Sequence, residues 1–112
     1  RLPHEKVMVG YKQEVKEGKA KLLTNLNKEV KTYDIEITKI YRNKSKTNKA
    51  FEIQVTDPRL LEKTGGIVQG MSGSPILQKG KFAGAVTHVF VQDSTSGYGI
   101  FAETMLENIK NK

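Results

Sequence analysis

Residues 65–77 read GGIVQGMSGSPIL. Glycines on both sides of Ser72 permit backbone angles that residues with a Cβ atom reach only at a cost. Pro75 fixes its own φ and keeps the preceding residue extended, so a strand should begin there. The stretch therefore predicts a tight loop between two strands, with the Ser72 hydroxyl at its apex.

The letters around Ser72 are typical of one kind of reactive serine. Residues 70–75 fit the G-x-S-G-x-P loop of chymotrypsin-like peptidases at each fixed position. The G-x-S-x-G elbow of α/β-hydrolases fits less well, because Ser74 replaces its second glycine. In such a loop the N–H groups of Gly70 and Ser72 could converge on one point, as an oxyanion hole requires. A glycine-rich turn with an uninvolved serine stays open as the alternative on the motif alone.

Length and composition limit the class of protein. A chain of 112 residues is one domain at most, and 37% hydrophobic residues with ten glycines suit an all-β fold of short strands. No apolar run is long enough for a membrane helix, and no signal-peptide pattern opens the chain. The chain begins at Arg1, so we expect a piece of a longer protein. With two histidines and no cysteine, we expect no disulfide, no metal site and no cofactor.

The net charge of +7 lies wholly in the first half of the chain. Residues 1–50 hold thirteen Lys and Arg against six Asp and Glu, whereas residues 51–112 hold six of each. Four of these cations fall in one loop at positions 42, 44, 46 and 49. An anionic partner such as a membrane surface is one interpretation. Solvated lysines are the favoured one, because no aromatic platform accompanies them, and no nucleic-acid partner is predicted.

Alternating apolar residues predict about seven short strands and one terminal helix. The clearest strand is Lys31 to Arg42, where Tyr33, Ile35 and Ile37 share one face. Residues 81–91 are apolar nearly throughout and should be buried on both sides. The predicted strands are 5–11, 20–26, 31–42, 50–56, 75–78, 81–91 and 98–102, with a helical turn at 59–63 and a helix at 103–110. These elements predict an all-β fold, a small antiparallel barrel closed by a helix.

Four segments carry a resemblance to a known family. They are residues 15–20, 65–76, 84–90 and 95–101, and they resemble the stage IV sporulation protein B peptidases of spore-forming bacteria. The resemblance covers essentially all of residues 1–112. It implies a single antiparallel β-barrel similar to the second barrel of chymotrypsin-like serine peptidases, and a serine endopeptidase activity for the whole protein.

The resemblance also implies roles for individual residues. Ser72 is the expected nucleophile, Asp57 the expected triad acid, and the N–H groups of Gly70 and Ser72 the expected oxyanion hole. The histidine base of the family lies in a preceding barrel, and His4 falls after the position that matches it. On the residues alone, a structural role for Asp57 before Pro58, as a turn residue or a helix cap, is as well supported as the catalytic role.

Three further residues are expected in the substrate cleft. By resemblance, Thr87 and His88 lie on the strand that lines the primary specificity pocket, and Tyr98 forms part of its other wall. Thr87 is expected to hydrogen-bond the triad acid. His88 could instead be a base for Ser72 or a core histidine bonded to backbone, and Tyr98 could equally belong to the core.

The partners and location follow from the resemblance alone. The family carries a membrane anchor and a PDZ domain upstream, and it acts between the mother-cell and forespore membranes. It cleaves itself and then a membrane-bound regulator of an intramembrane protease. We expect residues 1–112 alone to be inactive and to expose an apolar face that favours self-association. The alternative from another class is a non-catalytic β-barrel module that binds an anionic partner or a peptide.

Overall fold

The computed structural model describes residues 8–9, 14–26, 29–41, 49–67, 71–90 and 92–110. Within these ranges strands dominate and helices are short. The elements in chain order are β1 Met8–Val9, β2 Gly18–Leu26, β3 Glu29–Ile40, β4 Phe51–Val55, α1 Pro58–Thr64, β5 Pro75–Gln78, β6 Lys81–Val89, β7 Ser96–Phe101 and α2 Ala102–Lys110.

Six of these strands close into an antiparallel barrel. Their order around the barrel is β2, β3, β4, β7, β6 and β5, and β5 pairs with β2 to complete the ring. β1 adds a short parallel pairing at the start of β6, with Met8 opposite Lys81. The predicted fold class, a single antiparallel β-barrel with a short C-terminal helix, is confirmed.

The barrel core follows from period-two patterning. Tyr33, Ile35 and Ile37 of β3 are at most 1% exposed, and Phe51 and Ile53 of β4 are fully buried. The residues between them on β3 face solvent. Because burying one large apolar side chain contributes about 1.5–3 kcal/mol, a register slip of one residue would expose the whole row. The alternation therefore fixes both the pairing and the inward face.

Three expectations about local structure need correction. The loop with Ser72 follows helix α1 rather than a strand, because a full helix forms at Pro58–Thr64. β6 is buried at residues 83–86 only, and α2 packs against β6 and β7. The strand expected at 5–11 is described only at Met8–Val9.

The described surface bears on the expected self-association and on the expected role of the basic loop. Among the described residues, the large hydrophobic side chains that are exposed are Val30 and Leu106, so the self-association expected of an apolar face stays a prediction. Most of the basic loop lies outside the described residues. The Lys49 ammonium lies 5.2 Å from the centroid of the Tyr98 ring, and the expectation of solvated lysines stays a prediction. None of the described helices is long and apolar enough to cross a membrane.

Antiparallel pairing brings several loops to one end of the barrel. β2, β4 and β6 end there, and β3, β5 and β7 begin there. The turn with Ser72 precedes β5, Asp57 and α1 follow β4, and His88 is near the end of β6. We call this the serine end of the barrel.

Candidate active site at the serine end

Ser72 lies in a hydrogen-bonded turn that is fastened to β6. Within the turn, the N–H of Ser74 donates to the carbonyl of Met71 at 3.0 Å. The N–H of Gly73 donates to the Val86 carbonyl at 2.7 Å, and the N–H of Val86 donates to the Ser74 carbonyl at 3.0 Å. These bonds hold the backbone on one side of Ser72 against a barrel strand.

The residues around Ser72 explain why its side chain faces outward. Met71 is 1% exposed and anchors one side of the turn in the core, whereas Ser72 itself is exposed. Gly73 has φ of +90°, the positive value that the third residue of a type II turn requires. The predicted apex position of the Ser72 hydroxyl is therefore seen, while Gly70, expected to share the oxyanion hole, lies outside the described residues.

A second glycine fixes the path of the chain before the turn. A Cβ atom on Gly66 would lie 2.3 Å from the Ser94 carbonyl oxygen, so only glycine fits there. The N–H of Ile67 donates to the same carbonyl at 2.6 Å. The segment after α1 is thus held against the loop between β6 and β7, at the same end of the barrel as Ser72.

Beyond the turn, β6 extends past the end of its described pairing with β5. The pairing of β5 with β6 ends at Pro75 opposite Ala85, and Val86 bonds to the turn. On its other side β6 continues to pair with β7, through His88 opposite Tyr98 and Val89 opposite Gly97. Among the described residues, this end of β6 therefore continues beyond the Ser72 turn with β7 as its paired strand.

The three predicted cleft residues are neighbours on this part of the barrel. The Thr87 hydroxyl donates to the Tyr98 carbonyl at 3.3 Å and lies 3.2 Å from Nδ1 of His88. The Tyr98 ring packs against Phe90 with a centroid distance of 4.8 Å. His88 is exposed, so the alternative that placed it in the core is wrong, whereas Tyr98 is half-buried and both of its alternatives stay open.

Asp57 is the N-cap of α1 and is almost fully buried, at 2% exposure. Its Oδ1 accepts hydrogen bonds from N–H and Nε of Arg59 at 2.9 and 3.0 Å. Its Oδ2 accepts from the N–H of Asp34 at 2.9 Å and from Arg59 Nη2 at 2.7 Å. A carboxylate offers about four acceptor positions, so these four bonds use its whole capacity.

Asp57 and Ser72 share one end of the barrel but not one side of it. Asp57 follows β4 beside β3, where its own N–H donates to the Asp34 carbonyl at 3.0 Å. Ser72 lies between β5 and β6, on the far side of the strand order. The four donors to the Asp57 carboxylate come from Arg59 and Asp34, so the bond expected from Thr87 is not among them.

Arg59 sets the electrostatics of this buried acid. Its side-chain hydrogen bonds lower the pKa of Asp57 well below the ordinary value, and they outweigh burial, which acts in the opposite direction. The guanidinium also lies 5.2 Å from the Tyr33 ring centroid, and Nη2 donates to the Thr32 carbonyl at 3.1 Å. One arginine therefore joins the acid, α1 and the start of β3.

This lowered pKa predicts a dependence of stability on pH. Because the folded chain holds the Asp57 proton less tightly than the unfolded chain, charged Asp57 stabilises the fold at neutral pH. That contribution is lost as pH falls below about 4, the ordinary value for aspartate. We expect the difference in unfolding free energy between wild type and Asp57→Asn to shrink between pH 7 and pH 3 in urea titrations. A constant difference over that range would contradict it.

Sequence reasoning missed two features of the site. Arg59 looked like an ordinary residue of a helical turn, although its position two residues after a capping Asp is a signal for this pair. Thr24 is a polar residue in the inward row of β2 that is 7% exposed, and its hydroxyl oxygen accepts a hydrogen bond from the Ser74 hydroxyl at 3.3 Å. A polar residue in an inward-facing row was the available signal.

Comparison with protein families identifies one match. The family described as SpoIVB peptidase S55 matches residues 1–106. Comparison with curated proteins and with solved structures finds no significant match. The match includes the turn with Ser72, the end of β6 and the Asp57 cap.

Proposed function

The chain belongs to the SpoIVB peptidase S55 family, and we propose that it supplies Ser72 as the nucleophile of a serine endopeptidase. The observation that carries the proposal is the turn at residues 71–74. It presents an exposed Ser72 beside β6 and is held there by backbone hydrogen bonds of Gly73 and Ser74 to Val86. A nucleophile needs such fixed placement, because its effective concentration at the substrate carbonyl depends on its orientation.

The proposed reaction is acyl transfer to serine. The Ser72 oxygen attacks the carbonyl carbon of the scissile peptide bond, and a histidine from the preceding barrel of the full-length protein takes its proton. The N–H groups of Gly70 and Ser72 stabilise the resulting oxyanion. The C–N bond then breaks as the same histidine gives the proton to the leaving amine, and water later hydrolyses the acyl-enzyme.

The end of β6 is the proposed place for the substrate backbone. An extended peptide can bind along a strand through main-chain hydrogen bonds. The end of β6 lies beside the Ser72 turn, where such a peptide would come close to the nucleophile. Thr87, His88 and Tyr98 would then contact substrate side chains in the cleft, with the Phe90 ring supporting Tyr98.

Asp57 is proposed as the acid that orients the histidine, on the strength of the family pattern. Because Asp57 follows β4 and Ser72 precedes β5, the imidazole would have to lie across the serine end between them. Its carboxylate is already saturated by Arg59 and Asp34. A histidine N–H could therefore reach it only if Arg59 gave up at least one bond. Since the Arg59 side chain is 61% exposed, it has room to swing toward solvent.

The biological setting is proposed from family membership. The full-length protein would cleave itself and then a membrane-bound regulator of an intramembrane protease, in the space between the mother-cell and forespore membranes. A PDZ domain and a membrane anchor would precede the barrel that supplies the histidine. Residues 1–112 would form the second barrel of this peptidase.

The proposal predicts that residues 1–112 alone do not hydrolyse peptides. Without its base, a serine is a weak nucleophile, and activity should fall by about 10³-fold or more relative to the full-length protein. Both proteins would be assayed on the same peptide substrates at equal concentration. Turnover by the 112-residue chain that is abolished by both Ser72→Ala and His88→Gln would contradict this and make His88 the base.

A further inference from the structure

The turn that carries Ser72 is joined to the barrel by one hydroxyl pair in addition to its backbone bonds. The Ser74 hydroxyl donates to Oγ1 of Thr24 at 3.3 Å. Thr24 is 7% exposed, whereas Ser74 is half-buried. The pair therefore links the residue two positions after Ser72 to the wall of the barrel.

Thr24 occupies a position where the strand pattern calls for an apolar side chain. On β2 the inward row is Ala20, Leu22 and Thr24, each buried. Leu22 pairs with Ile76 of β5, so the next inward residue of β2 comes opposite Ser74. A valine would fill a similar volume without burying a polar group. We therefore infer that the Thr24 hydroxyl is present for its hydrogen bond and not for packing.

The two sides of the turn are held by different means. Met71 is anchored by burial at 1% exposure. On the other side Gly73 has no side chain, so Ser74 is the first residue after Ser72 that can hold the turn through its side chain. We propose that Thr24 is a positioning residue that sets the orientation of Ser72 through the Ser74 hydroxyl, a proposal that rests on the assignment of Ser72 as nucleophile.

The chemistry requires such a restraint because attack is sensitive to small displacements. Misplacement of a reacting group by about 1 Å can lower the rate by about 100-fold. The hydroxyl pair is one hydrogen bond between neutral groups, so its loss should loosen the turn rather than unfold it. The effect should appear in kcat, because substrate would still bind the end of β6.

The test is a double-mutant cycle in the full-length peptidase. Thr24→Val and Ser74→Ala are each expected to lower kcat by about three- to tenfold, with KM within about twofold. The double variant should lose no more than either single variant, because both remove the same bond. Thr24→Ser keeps the hydroxyl and should restore kcat.

Two controls separate this role from a purely structural one. Thr104→Val changes another threonine that is 2% exposed, on α2, and should leave kcat unchanged. Thermal unfolding of each variant reports any loss of fold. Normal kcat in Thr24→Val, with Ser72→Ala inactive, would overturn the positioning role and leave the nucleophile assigned. Full activity in Ser72→Ala would instead overturn the proposed function, and the positioning role with it.

Discussion

Ser72→Ala in the full-length peptidase is expected to lower kcat by about 10⁴-fold or more. The reason is that no other group in the turn can form the acyl-enzyme: Met71 is buried, Gly73 has no side chain, and the Ser74 hydroxyl bonds to Thr24. Peptide hydrolysis and thermal unfolding would be measured on the same preparations. Because Ser72 is exposed, the melting temperature should hardly change.

Ser74→Ala is the matched control for this prediction. It removes a serine hydroxyl from the same turn, two residues away, but only a positioning bond is lost. We expect a three- to tenfold decrease in kcat, because that change corresponds to the free energy of about one hydrogen bond. The loss for Ser72→Ala should be much larger. Equal losses for the two variants would contradict the assignment of Ser72, and a larger loss for Ser74→Ala would transfer it to Ser74.

Asp57→Asn is expected to lower kcat by about 10⁴-fold, the loss typical when a triad acid becomes an amide and the histidine takes the wrong tautomer. Asparagine is also a good N-cap, so its oxygen can still accept from the Arg59 N–H and helix α1 should remain capped. Turnover per folded molecule separates catalysis from stability here. Normal turnover in a folded Asp57→Asn variant would remove Asp57 from the triad.

Asp57→Ala, unlike Asp57→Asn, is expected to lower the stability of the fold. It removes the helix cap and leaves the Asp34 N–H without its acceptor. A lost cap costs about 1–2 kcal/mol, and the partly buried Asp34 N–H loses its hydrogen bond as well. We therefore expect a clearly lower melting temperature for Asp57→Ala than for Asp57→Asn. Similar melting temperatures would show that the cap contributes little.

The elements that could be predicted from sequence are those governed by local periodicity. β3 shows this best, because Tyr33, Ile35 and Ile37 alternate with polar residues and are buried as expected. The turn around Ser72 could also be predicted, since Gly73 permits the positive φ that the turn needs and Pro75 fixes the φ at the start of β5. The Asp57 cap followed from its place before Pro58, one residue ahead of the first helical turn.

Other features depend on partners far apart in the sequence. The Thr24–Ser74 bond joins residues 50 positions apart, and only the closure of β2 onto β5 brings them together. The saturation of the Asp57 carboxylate depends on the N–H of Asp34 from β3. The end of β6 extends past its described pairing with β5 because β5 is shorter than β6, a mismatch that patterning within either strand does not reveal.

The central claim is that Ser72 is the nucleophile, and covalent labelling tests it most directly. The full-length peptidase would be treated with a peptidyl phosphonate, which reacts with activated serines, and the modified residue located by mass spectrometry. We expect one adduct on Ser72 in wild type and none in Ser72→Ala, with Ser74→Ala still labelled. Absence of labelling in a protein that is otherwise folded and active, or an adduct on another residue, would contradict the claim.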